Sequence, residues 1–185
     1  IPVIHRYHKN LKFRATLRSE NGKILDRALA SSSGQPVILE VENPRPWGPE
    51  VPYLYTLEFE LLENQQSMDL VTSYAGLRKV HVEGNRIFLN NEPVFLRLAL
   101  DQGYYPDGAW TAPSDEALKQ DIEIALPVGF NGARLHQKVF EERFHYWADR
   151  LGYLTWAQFP DWGLGIVHVI DAPVSLLGVA NHQRE

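Results

Sequence analysis

Residues 114–135, SDEALKQDIEIALPVGFNGARL, decide how the second half of the chain folds. Ser114 is suited to cap a helix N-terminus, and Asp115 and Glu116 follow in the first turn, where the helix dipole favours negative charge. Leu118, Ile122, Ala125 and Leu126 recur at helical spacing and give one buried face, and Gly129 ends the helix. Pro127 near that end is unexpected, because it removes a backbone donor. Asn131–Leu135 then reads as a short strand. Upstream, Val94–Ala99 is a continuous apolar strand interrupted only by Arg97. Downstream, a second helix from about Glu141 carries Phe144, Trp147, Ala148 and Leu151 on one stripe and stops at Gly152, and Tyr153–Ala157 forms a third strand. The order β-α-β-α-β predicts parallel strands joined by right-handed crossovers.

Before residue 90 the pattern is different. Leu11, Phe13, Ala15 and Leu17 alternate with Lys12, Arg14, Thr16 and Arg18, a strand with one buried face. Asn21–Gly22 supplies a hairpin turn. Tyr53, Tyr55, Leu57, Phe59 and Leu61 share one face of another strand, with Thr56, Glu58 and Glu60 opposite. Between these lie Val37–Val41 and a segment with Pro44, Pro46, Pro49 and Pro52, which must be loop or sheet edge. Leu70–Tyr74, Arg78–Val82 and Arg86–Leu89 are further short strands, the last two joined by a turn at Glu83–Gly84–Asn85. Short strands at this spacing predict an antiparallel β-sandwich.

The 185 residues include no cysteine and one methionine, Met68, and begin at Ile1. A translated chain starts with methionine, so a processed, trimmed or excerpted sequence is expected. Without cysteine there is no disulfide framework and no thiolate metal site. A net charge of −5 argues against nucleic acid or an anionic membrane as partner. No apolar run approaches the roughly 20 residues that span a bilayer. The histidines show no metal-ligand spacing; His5 and His8 are three apart but have no carboxylate beside them. No metal and no cofactor are expected.

In a parallel β/α system, function gathers beyond the C-terminal ends of the strands. Those ends are residues 101–105, 134–138 and 156–162, each crowded with hydrogen-bonding groups and large aromatics. Sugars use both, stacking their C–H faces on rings and offering hydroxyls to amides, carboxylates and guanidinium groups. Asp101, Arg134 and His136 are therefore candidate substrate-binding residues, and Trp110, Trp156 and Trp162 are candidate platforms that could equally fill a core. Trp147, on the helix stripe, reads as core. Arg97 within an apolar strand would be costly unpaired, and it reads equally as a functional residue or as one half of a structural salt bridge. Of the carboxylates Asp101, Asp107, Glu141, Glu142 and Asp161, only Asp101 and Asp161 could reach a common pocket, and nothing local singles them out as an acid/base pair. A nucleophile elbow, a phosphate loop and a dinucleotide fingerprint are all missing; Gly163–Leu164–Gly165 lacks the third glycine.

Several of these segments, in order, resemble glycoside hydrolase family 2, the β-galactosidase and β-glucuronidase group. Residues 43–50 (NPRPWGPE) with 52–55 (PYLY) resemble a stretch of its immunoglobulin-like sandwich, and residues 76–79 (GLRK) the exit from it. Residues 88–93 (FLNNEP) with 95–97 (FLR) resemble the entry to the first strand of its (β/α)8 barrel. Gly129, Phe130 and Asn131 with Arg134 resemble the second strand, and residues 148–154 (ADRLGYL) the second helix and third strand. The resemblance implies a multi-domain β plus α/β protein: an immunoglobulin-like sandwich over residues 1–88, which can be incomplete at its start, then the first part of a (β/α)8 (TIM) barrel over residues 89–185. It also implies a retaining glycosidase that acts on β-linked carbohydrate through two glutamates. Asp101, Gln102, Arg134 and Gln137 fall where the family lines its sugar pocket. The family's acid/base glutamate follows an asparagine after the fourth barrel strand; the one Asn-Glu pair here, Asn91–Glu92, precedes the first strand, so both catalytic glutamates are expected outside this chain and the chain alone is expected to be inactive. Gln158 stands where many members carry an acid, so metal ligation at that site is not expected. After Gly163 the resemblance is lost, although Ile166–Ile170 reads as a strand and Pro173–Ala180 as an apolar segment. The alternatives are a non-catalytic carbohydrate-binding module and a structural unit that pairs with a second copy through an open barrel edge.

Overall fold

The structure, a computed structural model, describes residues 10–30, 34 and 36–160. His5, His8, Asp161, Trp162 and the segments read at 163–180 lie outside the described residues. The chain forms two compact units, one through Pro93 and one from Val94 onward.

In the first unit, β1 (Leu11–Arg18), β2 (Ile24–Ala30), β3 (Tyr55–Glu63) and β4 (Gln66–Ala75) make an antiparallel sheet in the order β2-β1-β3-β4. The turns follow from residue chemistry. Gly22, at φ +81, closes the β1–β2 hairpin with its N–H on the Ser19 carbonyl at 2.8 Å. Asn64 and Gln65, at φ +50 and +69, form a two-residue turn whose twist matches the flanking strands. Leu17 packs with Tyr53 and Tyr55. The polar face is laced across strands: Arg14 Nε donates to Glu60 at 2.8 Å and Arg18 pairs with Glu58 at 2.9 Å. Thr16, expected on the open face, is buried, because Arg27 and Glu58 occupy the neighbouring register positions and Arg27 Nε bonds its hydroxyl at 3.2 Å.

The proline segment forms no strand. It is held by side chains instead. Tyr55 accepts from the Arg45 N–H at 2.7 Å, the Arg45 guanidinium lies 4.0 Å over Tyr53, and Trp47 is 1% exposed beneath Arg78. Trp47 N–H bonds Leu77 O at 2.8 Å, and a Cβ on Gly76 would lie 3.3 Å from Trp47. The residues 43–55 and 76–78 that form part of the family resemblance thus serve packing.

A small sheet, β5 (Val80–Glu83), β6 (Arg86–Leu89) and β7 (Glu92–Val94), follows. Asn90 and Asn91, at φ +54 and +70, turn β6 into β7, which places the Asn91–Glu92 pair in a hairpin.

The second unit is a parallel sheet of β8 (Leu98–Asp101), β9 (Gly132–Leu135) and β10 (Leu154–Ala157), with β9 in the middle. Helices α1 (Asp115–Val128) and α2 (Glu142–Leu151) make the crossovers. Ser114 caps α1 by accepting from Ala117 N–H, and Gly129, at φ +104, ends it by donating to Ala125 and Leu126 carbonyls; Pro127 is tolerated in that last turn. Leu118, Ile122, Phe144 and Ala148 of the helices close over Ala133 and Leu135, and Trp147 packs against this core.

The continuous strand expected at Val94–Ala99 is broken. Val94 ends β7, and the parallel ladder starts only at Leu98. Asn131 is the cause: its side-chain oxygen accepts from Arg97 N–H at 2.8 Å and its amide donates to Phe95 O at 2.9 Å, so these backbone groups are engaged outside the ladder. Arg97 therefore lies in no apolar strand. It is exposed, and its Nε donates to Gly129 O, at the C-terminal end of α1, at 2.7 Å.

Candidate functional site

The C-terminal ends of β8, β9 and β10 lie side by side, and the two faces of the sheet have different fates. Register pairs Ala99 and Asp101 with Ala133 and Leu135, on the side of the helices. The other face carries Leu98 and Leu100, Gly132 and Arg134, and Leu154 and Trp156. Leu100, Arg134 and Trp156 form one row across this face and are all exposed. An arginine between a leucine and a tryptophan on neighbouring strands offers a charge and a ring at adjacent positions of one sheet face. Arg134 Nη2 donates to Gln158 Oε1 at 2.7 Å. The amide at 158 thus orients the guanidinium without neutralising it, as a carboxylate would.

Asp101 belongs to the opposite face. Its carboxylate accepts from Gly103 N–H at 2.8 Å and so shapes the turn leaving β8. Burial, opposed by that hydrogen bond, pushes its pKa above the ordinary aspartate value. Tyr105 donates to Asp121 of α1 at 2.7 Å, and burial together with that bond pushes the phenol far above its usual range. Tyr153 is pushed up to about 12, first by burial and then by Asp101 and Asp121.

The loops after β8 and β9 meet. Gln102 Nε2 lies 3.1 Å from His136 Nδ1, and His136 N–H donates to Asp101 O at 2.7 Å. Trp110 Nε1 donates to Gln102 O at 3.2 Å, and its ring stacks on Tyr104 at 5.9 Å between centroids. Gln137, at φ +54, turns the chain between them.

The predicted residues therefore fall into two groups. Arg134 and Trp156 share the open sheet face, whereas Gln102, Trp110, His136 and Gln137 belong to the joined loops; Asp101 braces the loops from the helix side. Sequence reasoning missed Lys138, whose ammonium reaches Gly103 O at 3.2 Å and Trp110 O at 2.8 Å. It also missed Tyr104, the stacking partner of Trp110. The one available signal for Lys138 was Glu141 three residues on, 3.3 Å from it in the structure. Among the described residues, no group of three His, Asp or Glu side chains could hold a metal ion, and no helix is long and apolar enough to cross a membrane.

Known proteins resemble this chain in sequence and fold. Residues 6–78 match the family model of glycosyl hydrolases family 2. The β-galactosidase of Leuconostoc mesenteroides is 26% identical over 152 residues, 79% of this chain and 14% of that protein. The β-glucuronidase of Paenibacillus borealis is 31% identical over 150 residues, 80% of this chain and 24% of that one. The solved structure of a β-glucuronidase from Ruminococcus gnavus, in complex with D-glucuronic acid, matches with a TM-score of 0.71 at 24% identity, covering 80% of this chain and 25% of that chain. The chain thus spans a quarter or less of the length of these relatives. At this identity the structural likeness bears on fold, and the β-rich half fits the immunoglobulin-like sandwich domain. The match of residues 6–78 to the family model, together with the likeness to β-galactosidases and β-glucuronidases over about four fifths of the sequence, makes this chain similar to a fragment of a glycosyl hydrolase of family 2.

Proposed function

We propose that β8, β9 and β10 with their two helices open a (β/α)8 catalytic barrel spanning residues 89–185 and beyond, preceded by a sandwich domain over residues 1–88. The protein that contains this segment then hydrolyses O-glycosidic bonds of β-linked carbohydrates with retention of configuration. In that reaction one carboxylate attacks the anomeric carbon, the other protonates the departing oxygen, and water releases the sugar from the covalent intermediate. The observation that carries the reading is the row of Arg134 and Trp156 at the C-terminal ends of parallel strands, where barrel enzymes place their sites.

This segment's share of the work is binding. Trp156 offers a ring to a sugar face, and Arg134, held by Gln158, offers N–H groups to hydroxyls or to a sugar carboxylate. Asp101, Gln102, His136 and Gln137 shape the rim beside them. The two catalytic glutamates belong to parts of the protein outside residues 1–185, since the Asn91–Glu92 pair is locked in the β6–β7 hairpin.

The test is hydrolysis of 4-nitrophenyl β-galactoside, β-glucuronide and β-mannoside by the full-length protein. Turnover of at least one is expected, and Arg134→Ala should lower kcat/KM by roughly 10- to 100-fold, the loss of one charge-assisted hydrogen bond. The 185-residue chain alone should turn over none of them. Failure of the full-length protein on all three, or sustained turnover by the short chain that Asp101→Asn abolishes, overturns the reading.

A further inference from the structure

The segment from Gly103 to Trp110 is more rigidly built than a connection between a strand and a helix requires. Tyr105 N–H bonds Ala109 O at 2.8 Å, and Thr111 N–H bonds Gly108 O at 2.9 Å. Tyr105 ties the segment to α1 through Asp121. Its two ends are joined by a third element. Lys138, in the loop after β9, has a side chain only 9% exposed, and its ammonium donates to Gly103 O at 3.2 Å and Trp110 O at 2.8 Å, with Glu141 at 3.3 Å. Its three N–H donors thus meet two main-chain carbonyls and a carboxylate. An ammonium taken out of water is costly unless so satisfied. Gly103 makes the approach possible: at φ +64 it has no Cβ, and one built there would lie 2.8 Å from Lys138 Nζ and 3.1 Å from Phe140.

The result of this bracing is a pair of aromatic rings left open. Tyr104 is 66% exposed and Trp110 51%, with their planes 10° from parallel. A rigid, water-exposed ring pair beside hydrogen-bonding side chains, here Gln102 and His136, matches one ligand chemistry well. A pyranose presents an apolar C–H face to the ring and hydroxyls to the amide and imidazole. Fixing the rings beforehand removes the ordering cost of binding.

We infer that Tyr104 and Trp110 form an aromatic platform for a pyranose unit of the β-linked glycan, and that Lys138 is the positioning residue that holds it in place. This rests on the glycosidase reading, and it assigns contacts to a loop pair distinct from the Arg134–Trp156 face.

The experiment is an NMR titration of the 185-residue chain, following the tryptophan indole N–H signals, assigned by single Trp→Phe variants. The probes are lactose and a β-linked glucuronosyl disaccharide. The Trp110 signal should move with at least one probe, Tyr104→Ala should weaken that binding roughly tenfold, and Lys138→Met should displace the Trp110 signal before ligand is added. Lys138→Arg should restore part of the affinity, which a merely space-filling lysine would not require. Movement of Trp156 without Trp110 overturns the platform and leaves the glycosidase reading standing. Movement of neither overturns the platform, while hydrolysis by the full-length protein decides the wider reading independently. Binding unchanged in both Tyr104→Ala and Lys138→Met also overturns it.

Discussion

Gly132→Ala is the substitution that most severely tests the geometry of the parallel sheet. Gly132 opens β9, paired with Leu98 on one side and Leu154 on the other. A Cβ built there lies 2.3 Å from the Leu154 carbonyl oxygen, 2.7 Å from Leu98 Cδ2 and 2.8 Å from Leu154 Cβ. The oxygen contact falls short of ordinary separation by roughly 1 Å. A side chain could swing aside, but a ladder carbonyl cannot, so β10 must move away from β9. The Leu154 N–H to Asn131 O bond, 2.9 Å long, would then stretch beyond hydrogen-bonding range. Overpacking at about 1–3 kcal/mol and one or two lost hydrogen bonds at about 1 kcal/mol each give a total near 3 kcal/mol. Gly22→Ala is the control: its φ is +81 but nothing lies within 4 Å, so only backbone strain of about 1 kcal/mol is incurred. Urea unfolding followed by tryptophan fluorescence measures both: Trp110, Trp147 and Trp156 report on the second unit, which holds Gly132, and Trp47 on the first, which holds Gly22. Equal costs for the two variants, or a Gly132→Ala cost within about 0.5 kcal/mol of zero, would refute the sheet geometry.

Other outcomes follow from the same contacts. Trp47→Ala should destabilise the first unit by about 3–5 kcal/mol, because it empties the site that anchors the proline segment; chemical denaturation read by near-ultraviolet circular dichroism checks it. Ser114→Ala should cost about 1 kcal/mol through loss of the α1 cap, with faster amide exchange confined to the first turn. Asp101 has a folded-state pKa above its unfolded value, so the fold favours its protonated form. The stabilisation is fully present below the unfolded value and is lost as pH rises through the folded one. Asp101→Asn should therefore gain in thermal midpoint relative to the wild type between about pH 3 and pH 7, and a constant difference across that range would contradict the burial of this carboxylate.

Where periodicity was strong, the sequence was readable to within a residue or two. Leu11–Arg18, both helices and the β-α-β-α-β order follow from alternation, helical spacing and capping residues. Val94–Ala99 misled because apolar continuity does not reveal a competing hydrogen bond. Asn131, distant in sequence, engages the backbone of residues 95 and 97 and moves the start of β8 to Leu98. Thr16 misled because long neighbours can bury a polar residue in the middle of a sheet. At the candidate site, strand ends directed attention to Arg134 and Trp156, and the register shows that they are neighbours. The division between an open face and a helix-facing side was not legible. It depends on the parity of Asp101 relative to Arg134, which only the ladder fixes. Lys138 was hidden for a similar reason: a lysine in a loop usually faces water, and its burial depends on carbonyls supplied by another loop.

The most direct measurement is the anomeric form of the first sugar released from a 4-nitrophenyl β-glycoside by the full-length protein, read by proton NMR before mutarotation. A retaining glycosidase built on this segment releases the β-anomer first. Initial release of the α-anomer, or no release from any of the three glycosides, would contradict it.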